Sequence, residues 1–276
     1  MLGQPAPAGG LAALRIWGQT GEPPAAWIAA ADPVHLETRL HSLRMCSLHA
    51  NELPKSDLRP LFDHLQATLG SDSGLAFARI GRHGYLRGPN PIETAPMSAA
   101  VLDGLPPDEF IPSGESAASY HQLLGEIQMA LHEHDVNLKR AEAALPPINS
   151  LWLWGGGIAP EPVKRELPPL LANDPLFRGY WNSCTAVVED WPADIESVAS
   201  TLSSTFVAVM PDFTPDVLAP LLTDCLGQLR HALQRGTLGS LSLLFRDGLS
   251  IEISRWDMLR FWRGVSPLLE KISDDD

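Results

Sequence analysis

The chain has 276 residues, of which 45% are hydrophobic and 19% charged, with a formal net charge of −13; this is ample material for a sizeable core and ordinary for a soluble globular protein. An acidic balance without a basic stripe argues against a nucleic-acid surface, since phosphate backbones require a local excess of lysine and arginine. Cys46, Cys184 and Cys225 are scattered without zinc spacing, as suits reduced thiols in a cytoplasmic protein, no apolar run reaches the roughly 18 to 20 residues of a membrane span, and the N-terminus lacks the basic region of a signal peptide.

Residues 1–24 are expected to form an N-terminal arm carrying a short helix from Leu11 to about Trp17. Residues 25–271 follow as a single α/β domain, within which 183–271 could form a C-terminal subdomain, and 272–276 are an acidic tail. The run from Ala25 breaks at Asp32-Pro33 and resumes as a strand pair around Val34–Leu36 and Leu43–Leu48. Ser56 can cap a helix whose stripe of Leu58, Leu61, Leu65 and Leu69 ends at Gly70. Leu75–Ile80 and Tyr85-Leu86 have the composition of a hairpin, and the Pro- and Gly-rich stretch 88–114 is a long connection with a short helix near Ser98–Leu102.

A long helix is expected from Ser116 to about Ala144, ended by Pro146-Pro147, since proline lacks an N–H and restricts the residue before it. Ile148–Trp154 then reads as a strand with Trp152 and Trp154 on one face and Leu151 and Leu153 on the other. Covered on both faces, it is expected to be the central strand. Beyond Gly157 the pattern predicts a helix over about Pro162–Leu171, a loop at Asn173-Asp174-Pro175, a strand at Thr185–Val188 and a helix from Ala193 to about Leu202. A strand at Thr205–Met210, a Thr214-capped helix over Pro215–Gln234, a hairpin of Leu241–Phe245 with Leu249–Ile253 and a last helix at about Trp256–Arg263 complete the chain. Strands alternating with helices, plus two hairpins, indicate an α/β fold with a mixed β-sheet and flanking helices.

His132, His134 and Asp135 invite a metal reading, but positions i and i+2 of a helix face apart, so no metal site is expected. Gly155, Gly156 and Gly157 could present backbone N–H groups to a phosphate, although they lack the spacing and the Lys-Ser/Thr of a P-loop; a tight turn is the plainer reading. Asn137, Arg140 and Asn149 could meet an anion or a hydroxyl. Equally, they could form an internal brace, with Asn149 bonded to the chain near Asn137 and Arg140. No G-x-S-x-G elbow occurs, and no cysteine sits in a nucleophile motif.

His134-Asp135-Val136-Asn137 with Arg140, then Pro147-Ile148-Asn149, Trp152-Leu153-Trp154-Gly155 and Gly157, resembles the H-P-V-N-x-x-R … P-x-N-x-x-W-x-W-G-x-G signature of RpfE-type bacterial regulatory proteins. Ala31–Leu36 and the Trp262 region are similar to further segments of that group, and more distantly the chain is similar to archaeal-type cofactor-independent phosphoglycerate mutases. Asp135 stands where the signature has proline, and Ala144 where it has glycine. The resemblance implies a fold related to part of such a mutase and a cytoplasmic regulator linked to production of extracellular enzymes and polysaccharide. Mutases of this kind use a D-G segment, a serine nucleophile and Asp and His ligands around two metals. This chain has no Asp before Asp32 and no Asp- and His-rich cluster at its end. The leading expectation is therefore a non-catalytic regulatory protein without a cofactor, whose partner is an unknown protein or a small phosphorylated metabolite. The alternatives are a phosphoglycerate mutase or phosphatase with an unrecognised metal site, and a phosphometabolite-binding module.

Overall fold

The computed structural model describes residues 10–40, 42–48, 53–202, 205–211, 215–245 and 248–257. The chain divides into two units, one of Met1–Trp191 with Thr205–Asp216, the other of Pro192–Ser204 with Val217–Asp276. The fold is mixed α/β, with antiparallel and parallel sheets and flanking helices.

In the first unit, helix α1 (Leu11–Thr20) precedes β1 (Ile28–Thr38), the strand around which the main sheet is organised. β1 pairs antiparallel with β2 (Leu43–Ser47), β4 (His83–Arg87) and β5 (Ser150–Gly157), while β3 (Ala76–Ile80) pairs only with β4. The expected break at Asp32-Pro33 lies inside β1. Pro33 pairs with Leu151 on the β5 side of β1, while on the other edge residues 28–30 pair with β4 and residues 34–38 with β2, which leaves Pro33 in the gap between those two ladders, where a missing N–H is tolerated.

Centrality therefore belongs to β1 and not to the tryptophan strand. β5 has β1 as its strand partner; its other edge carries an isolated bridge to Ala95, with hydrogen bonds from Ala95 N to Leu153 O and from Gly155 N to Ala95 O. The expected division of its faces holds. Leu151 and Leu153 join Ala29 and Ala31 in one core, under α2 (Lys55–Leu65) and α4 (Ala118–His132). Trp152 and Trp154 join Ala30, Val34, Ala12 of α1 and the loop residues Ala95, Ala99 and Leu102 in the other. An apolar run on both faces signals two covered faces, but it does not say how many strands flank it.

Several helix boundaries depart from the periodicity. α2 starts after Pro54 with no capping side chain, so Ser56 is not its cap, and the chain continues through a π-helical turn at Gln66–Gly70 and the short α3 (Ser71–Ser73) rather than stopping at Gly70. The stretch near Ser98–Leu102 forms turns, not a helix. The helix expected over 116–144 is two helices, α4 and α5 (Asp135–Glu142), because buried positions Ile127 and Leu131 are not continued in phase: Leu138 is 56% exposed, while Val136, Asn137 and Arg140 turn inward. The helix expected at 162–171 is irregular chain leading to β6 (Leu170–Ala172).

β6 forms a second, parallel sheet with β7 (Val188–Glu189) and β8 (Val207–Val209), in the order β7-β6-β8. Helix α6 (Pro175–Ser183) follows the expected loop at Asn173-Asp174-Pro175, in a stretch for which the pattern predicts no element, and begins where Asp174 accepts the N–H groups of Leu176 and Phe177, with Pro175 at the first helical position. Trp181 of α6 packs with Leu170 and Ala172. The second unit contains α7 (Ile195–Thr201), most of α8 (Pro215–Arg235) and the antiparallel hairpin of β9 (Ser240–Leu244) and β10 (Ser250–Ser254). There Gln228 of α8 accepts the N–H of Ile195, and Glu196 meets His231 and Arg235. The proposed Thr214 cap, most of the last helix and the acidic tail lie outside the described residues. No helix among the described residues is long and apolar enough to cross a membrane.

α1 and α6 touch backbone to backbone. A Cβ at Gly18 would lie 1.9 Å from Pro175 O, and one at Gly179 would lie 1.7 Å from Leu14 O. Gly179→Ala should accordingly cost about 1–3 kcal/mol or more in urea unfolding, because the helices must separate. Gly125→Ala, where a Cβ meets nothing within 4 Å, is the matched control and should be neutral or slightly stabilising. Equal midpoints for the two variants would show that the close crossing is not a constraint.

Candidate functional site

The signature residues meet where α4, α5, β1 and β5 come together. After α4 the chain turns extended at His134, whose Nδ1 accepts the N–H of Val136 at 3.2 Å, with Asp135 in the first turn of α5. Aspartate suits that place through its charge at the positive helix end, as the signature's proline would through its fixed φ. His134 also packs against His64, with ring centroids 4.9 Å apart.

Asn137 is 6% exposed and spends its amide on three backbone groups. Nδ2 donates to Leu131 O at 2.8 Å and to Ile148 O at 3.0 Å, and Oδ1 accepts from Ile148 N at 2.8 Å. This joins the end of α4, the body of α5 and the entry to β5. Asn149 does not bond to that region as expected. Its Oδ1 accepts from Leu36 N at 2.8 Å and its Nδ2 donates to Leu36 O at 2.9 Å. Because the β1–β5 register ends at Val34 opposite Ser150, the Asn149 amide acts as one more peptide group and lengthens the ladder. Arg140, 2% exposed, donates through Nε to Pro146 O at 2.9 Å and through Nη1 to Asp57 Oδ2 at 3.0 Å, tying α5 to the first turn of α2.

α5 ends in a Schellman arrangement: Leu145 N bonds Arg140 O at 2.8 Å and Ala144 N bonds Ala141 O at 3.1 Å, with Ala144 at φ 54. The signature has glycine at this place for a backbone reason, since a Cβ is strained in the left-handed region.

The three glycines lie within β5 rather than in a turn beyond it. Gly155 N donates to Ala95 O at 2.9 Å and Gly156 N to Thr94 Oγ1 at 2.8 Å, while Gly157 pairs with Ile28. The N–H groups of Gly155 and Gly156 are thus engaged inside the fold.

The sequence reading missed Arg15, the one charge in the apolar run of α1, although a lone arginine among Leu, Ala, Ile and Trp was the available signal. It is 4% exposed and donates through Nε to Tyr85 Oη at 3.0 Å, through Nη1 to Asp32 Oδ2 at 2.9 Å and through Nη2 to Gly84 O at 2.9 Å. Trp154 Nε1 donates to the same Asp32 oxygen at 2.6 Å, and the guanidinium lies over the Tyr85 and Trp154 rings. Burial opposes the charge on Arg15, but Asp32 and Tyr85 outweigh it and its pKa is raised; burial pushes Tyr85 up to about 12.

Clefts lie on this unit at two places that bear on the site. One, of about 540 Å³, is edged by Asn137, Asn149, His132, Gln128 and Leu36. The other, of about 710 Å³, is lined by Gln19, Lys55, Arg82, His83, Asn173 and Arg178. Burial, with Arg15 and Arg82 nearby, lowers the His83 pKa to about 4, so the imidazole is neutral near pH 7. Among the described residues no three His, Cys, Asp or Glu side chains converge as metal ligands.

Replacing Asn149 by alanine strands the N–H and C=O of Leu36 and should cost about 1–3 kcal/mol in urea unfolding with no ligand present. An unchanged midpoint would mean that the amide does not extend the sheet. The opposite sign is expected at the end of α5, where Ala144→Gly should raise stability by about 1 kcal/mol by relieving the left-handed strain.

No family model matches the chain. The 2,3-bisphosphoglycerate-independent phosphoglycerate mutase of Methanosarcina barkeri is 28% identical over 137 residues, 48% of this chain and 34% of that protein. That of Methanosarcina mazei is 30% identical over 114 residues, 41% of this chain and 29% of that protein. Among solved structures, the cofactor-independent phosphoglycerate mutase from Thermoplasma acidophilum has 20% identity and a TM-score of 0.40, covering 89% of this chain and 71% of that one. The chain spans about a third of the length of the curated relatives it matches. Over about half of its length, then, this chain is distantly similar to a part of the cofactor-independent phosphoglycerate mutases.

Proposed function

We propose that the chain is a non-catalytic, cytoplasmic regulatory protein of the RpfE type that uses mutase-like architecture as a scaffold. The observation that carries this reading is the use made of the signature residues. The Asn137 and Asn149 amides bond Leu131, Ile148 and Leu36, Arg140 bonds Pro146 and Asp57 through Nε and Nη1, and the N–H groups of Gly155 and Gly156 bond Ala95 and Thr94. Residues committed to holding backbone together specify a fold, and a fold by itself does not confer activity. A second reading, a phosphometabolite-binding module, is favoured by the cation-lined cleft at Lys55 and Arg82.

The test pairs chemistry with physiology. Purified full-length protein, given 3-phosphoglycerate with manganese or magnesium, should form no 2-phosphoglycerate by phosphorus NMR. Deleting the gene in its source cell should alter secreted enzymes and polysaccharide without impairing growth on sugars or on organic acids. Metal-dependent turnover, or a growth defect cured by an unrelated phosphoglycerate mutase, would replace the regulatory reading with an enzymatic one.

A further inference from the structure

The cleft of about 710 Å³ lies among the end of α1, the start of α2, the β3–β4 turn and the segment that opens α6. Its volume falls in the range of small-molecule sites. Its lining is unusual for a chain with a formal net charge of −13, because Lys55, Arg82 and Arg178 all reach it against a single acid, Asp190. Arg178 is held by Asp190 Oδ1 at 2.6 Å and by Ala172 O at 2.9 Å. Lys55 and Arg82 have no ion pair or hydrogen bond from their side chains among the described residues.

The neutral groups of the wall point to the same ligand charge. Gln19 uses its oxygen to accept from Tyr85 Oη at 2.5 Å, and Asn173 uses its oxygen to accept from Trp191 N at 3.0 Å. Each amide therefore has its N–H groups as the end open to a guest. Pro54 and Lys55 bring the start of α2 to the cleft, and no side chain caps that helix. Two cations without partners, two amide donors and an uncapped helix start make a surface that offers hydrogen bonds and positive charge to an anion.

We infer that this cleft is an anion site for the phosphate group of a small phosphorylated metabolite, with Lys55 and Arg82 as its principal ligands and Gln19 and Asn173 as orienting donors. The site rests on the second, phosphometabolite-binding reading and gives it its ligands; being built from none of the signature residues, it can fail while the regulatory reading stands. Phosphate is favoured over a simple carboxylate because a dianion gains from both cations at once and its several oxygens can take the amide donors as well.

Titration calorimetry at fixed ionic strength tests the site, using the full chain with inorganic phosphate, with glycerol 3-phosphate, and with acetate and glycerol as controls. Saturable binding of glycerol 3-phosphate is expected, in the millimolar range or tighter, with acetate weaker and glycerol silent. Lys55→Gln and Arg82→Gln remove exposed or half-buried charges that the fold does not use, so both variants should keep the wild-type unfolding midpoint. Each should weaken phosphate binding by about tenfold, the worth of one charge-assisted contact. A second readout is the His83 ring: its proton NMR titration, centred at about 4 in the free protein, should move upward when phosphate is bound, because an adjacent anion favours the imidazolium. No saturable binding of either phosphate compound, or a double variant that binds like wild type, would overturn the assignment, and so would an unmoved His83 titration in a protein that does bind.

Discussion

Burying one guanidinium organises the first unit. Arg15 leaves water on an otherwise apolar helix, a step that costs several kcal/mol unless every N–H finds an acceptor and the charge finds a carboxylate. Its acceptors come from two strands, Asp32 from β1 and Gly84 and Tyr85 from β4, while Trp154 of a third, β5, donates to Asp32. The helix and those strands can satisfy the ion together only in one relative position. α1 then lies where its backbone meets that of α6 at Gly18 and Gly179, which joins the main sheet's cover to the parallel sheet of the same unit.

A second set of polar side chains does by amide what a longer strand would do by backbone. Asn149 continues the β1–β5 ladder beyond Ser150, and Asn137 closes the corner where α4 stops, α5 begins and β5 enters the sheet. Such corners are where chain reversal leaves peptide groups unpaired, and an asparagine carries the donor and acceptor of a peptide on a short stem. The amides, the arginine and the Gly155 and Gly156 N–H groups of the signature thus each have partners within the fold.

The cleft at Lys55 and Arg82 is different in kind. Its Lys55 and Arg82 are not consumed by the fold, they lie against the molecule's overall charge, and they come from elements far apart in sequence. Groups that the fold leaves unused, rather than those that a motif singles out, are the ones available to bind.

The sequence alone determined the α/β class, the partition of β5 into a tryptophan face and a leucine face, and the hairpins, because local periodicity suffices for these; for Asn137 and Asn149 it supplied the side-chain inventory but left a brace and a ligand contact equally open. Tertiary structure decided which strand is central, since an apolar run looks the same with one neighbour or two, and it decided that Asn149 answers Leu36, a residue 113 positions away. It also decided the break between α4 and α5, where a change of buried face interrupts a pattern that reads as continuous helix. The cation cleft was invisible in sequence because Lys55, Arg82 and Arg178 are single charges in three separate segments, and only the packing of α1, α2, the β3–β4 turn and α6 makes them one surface.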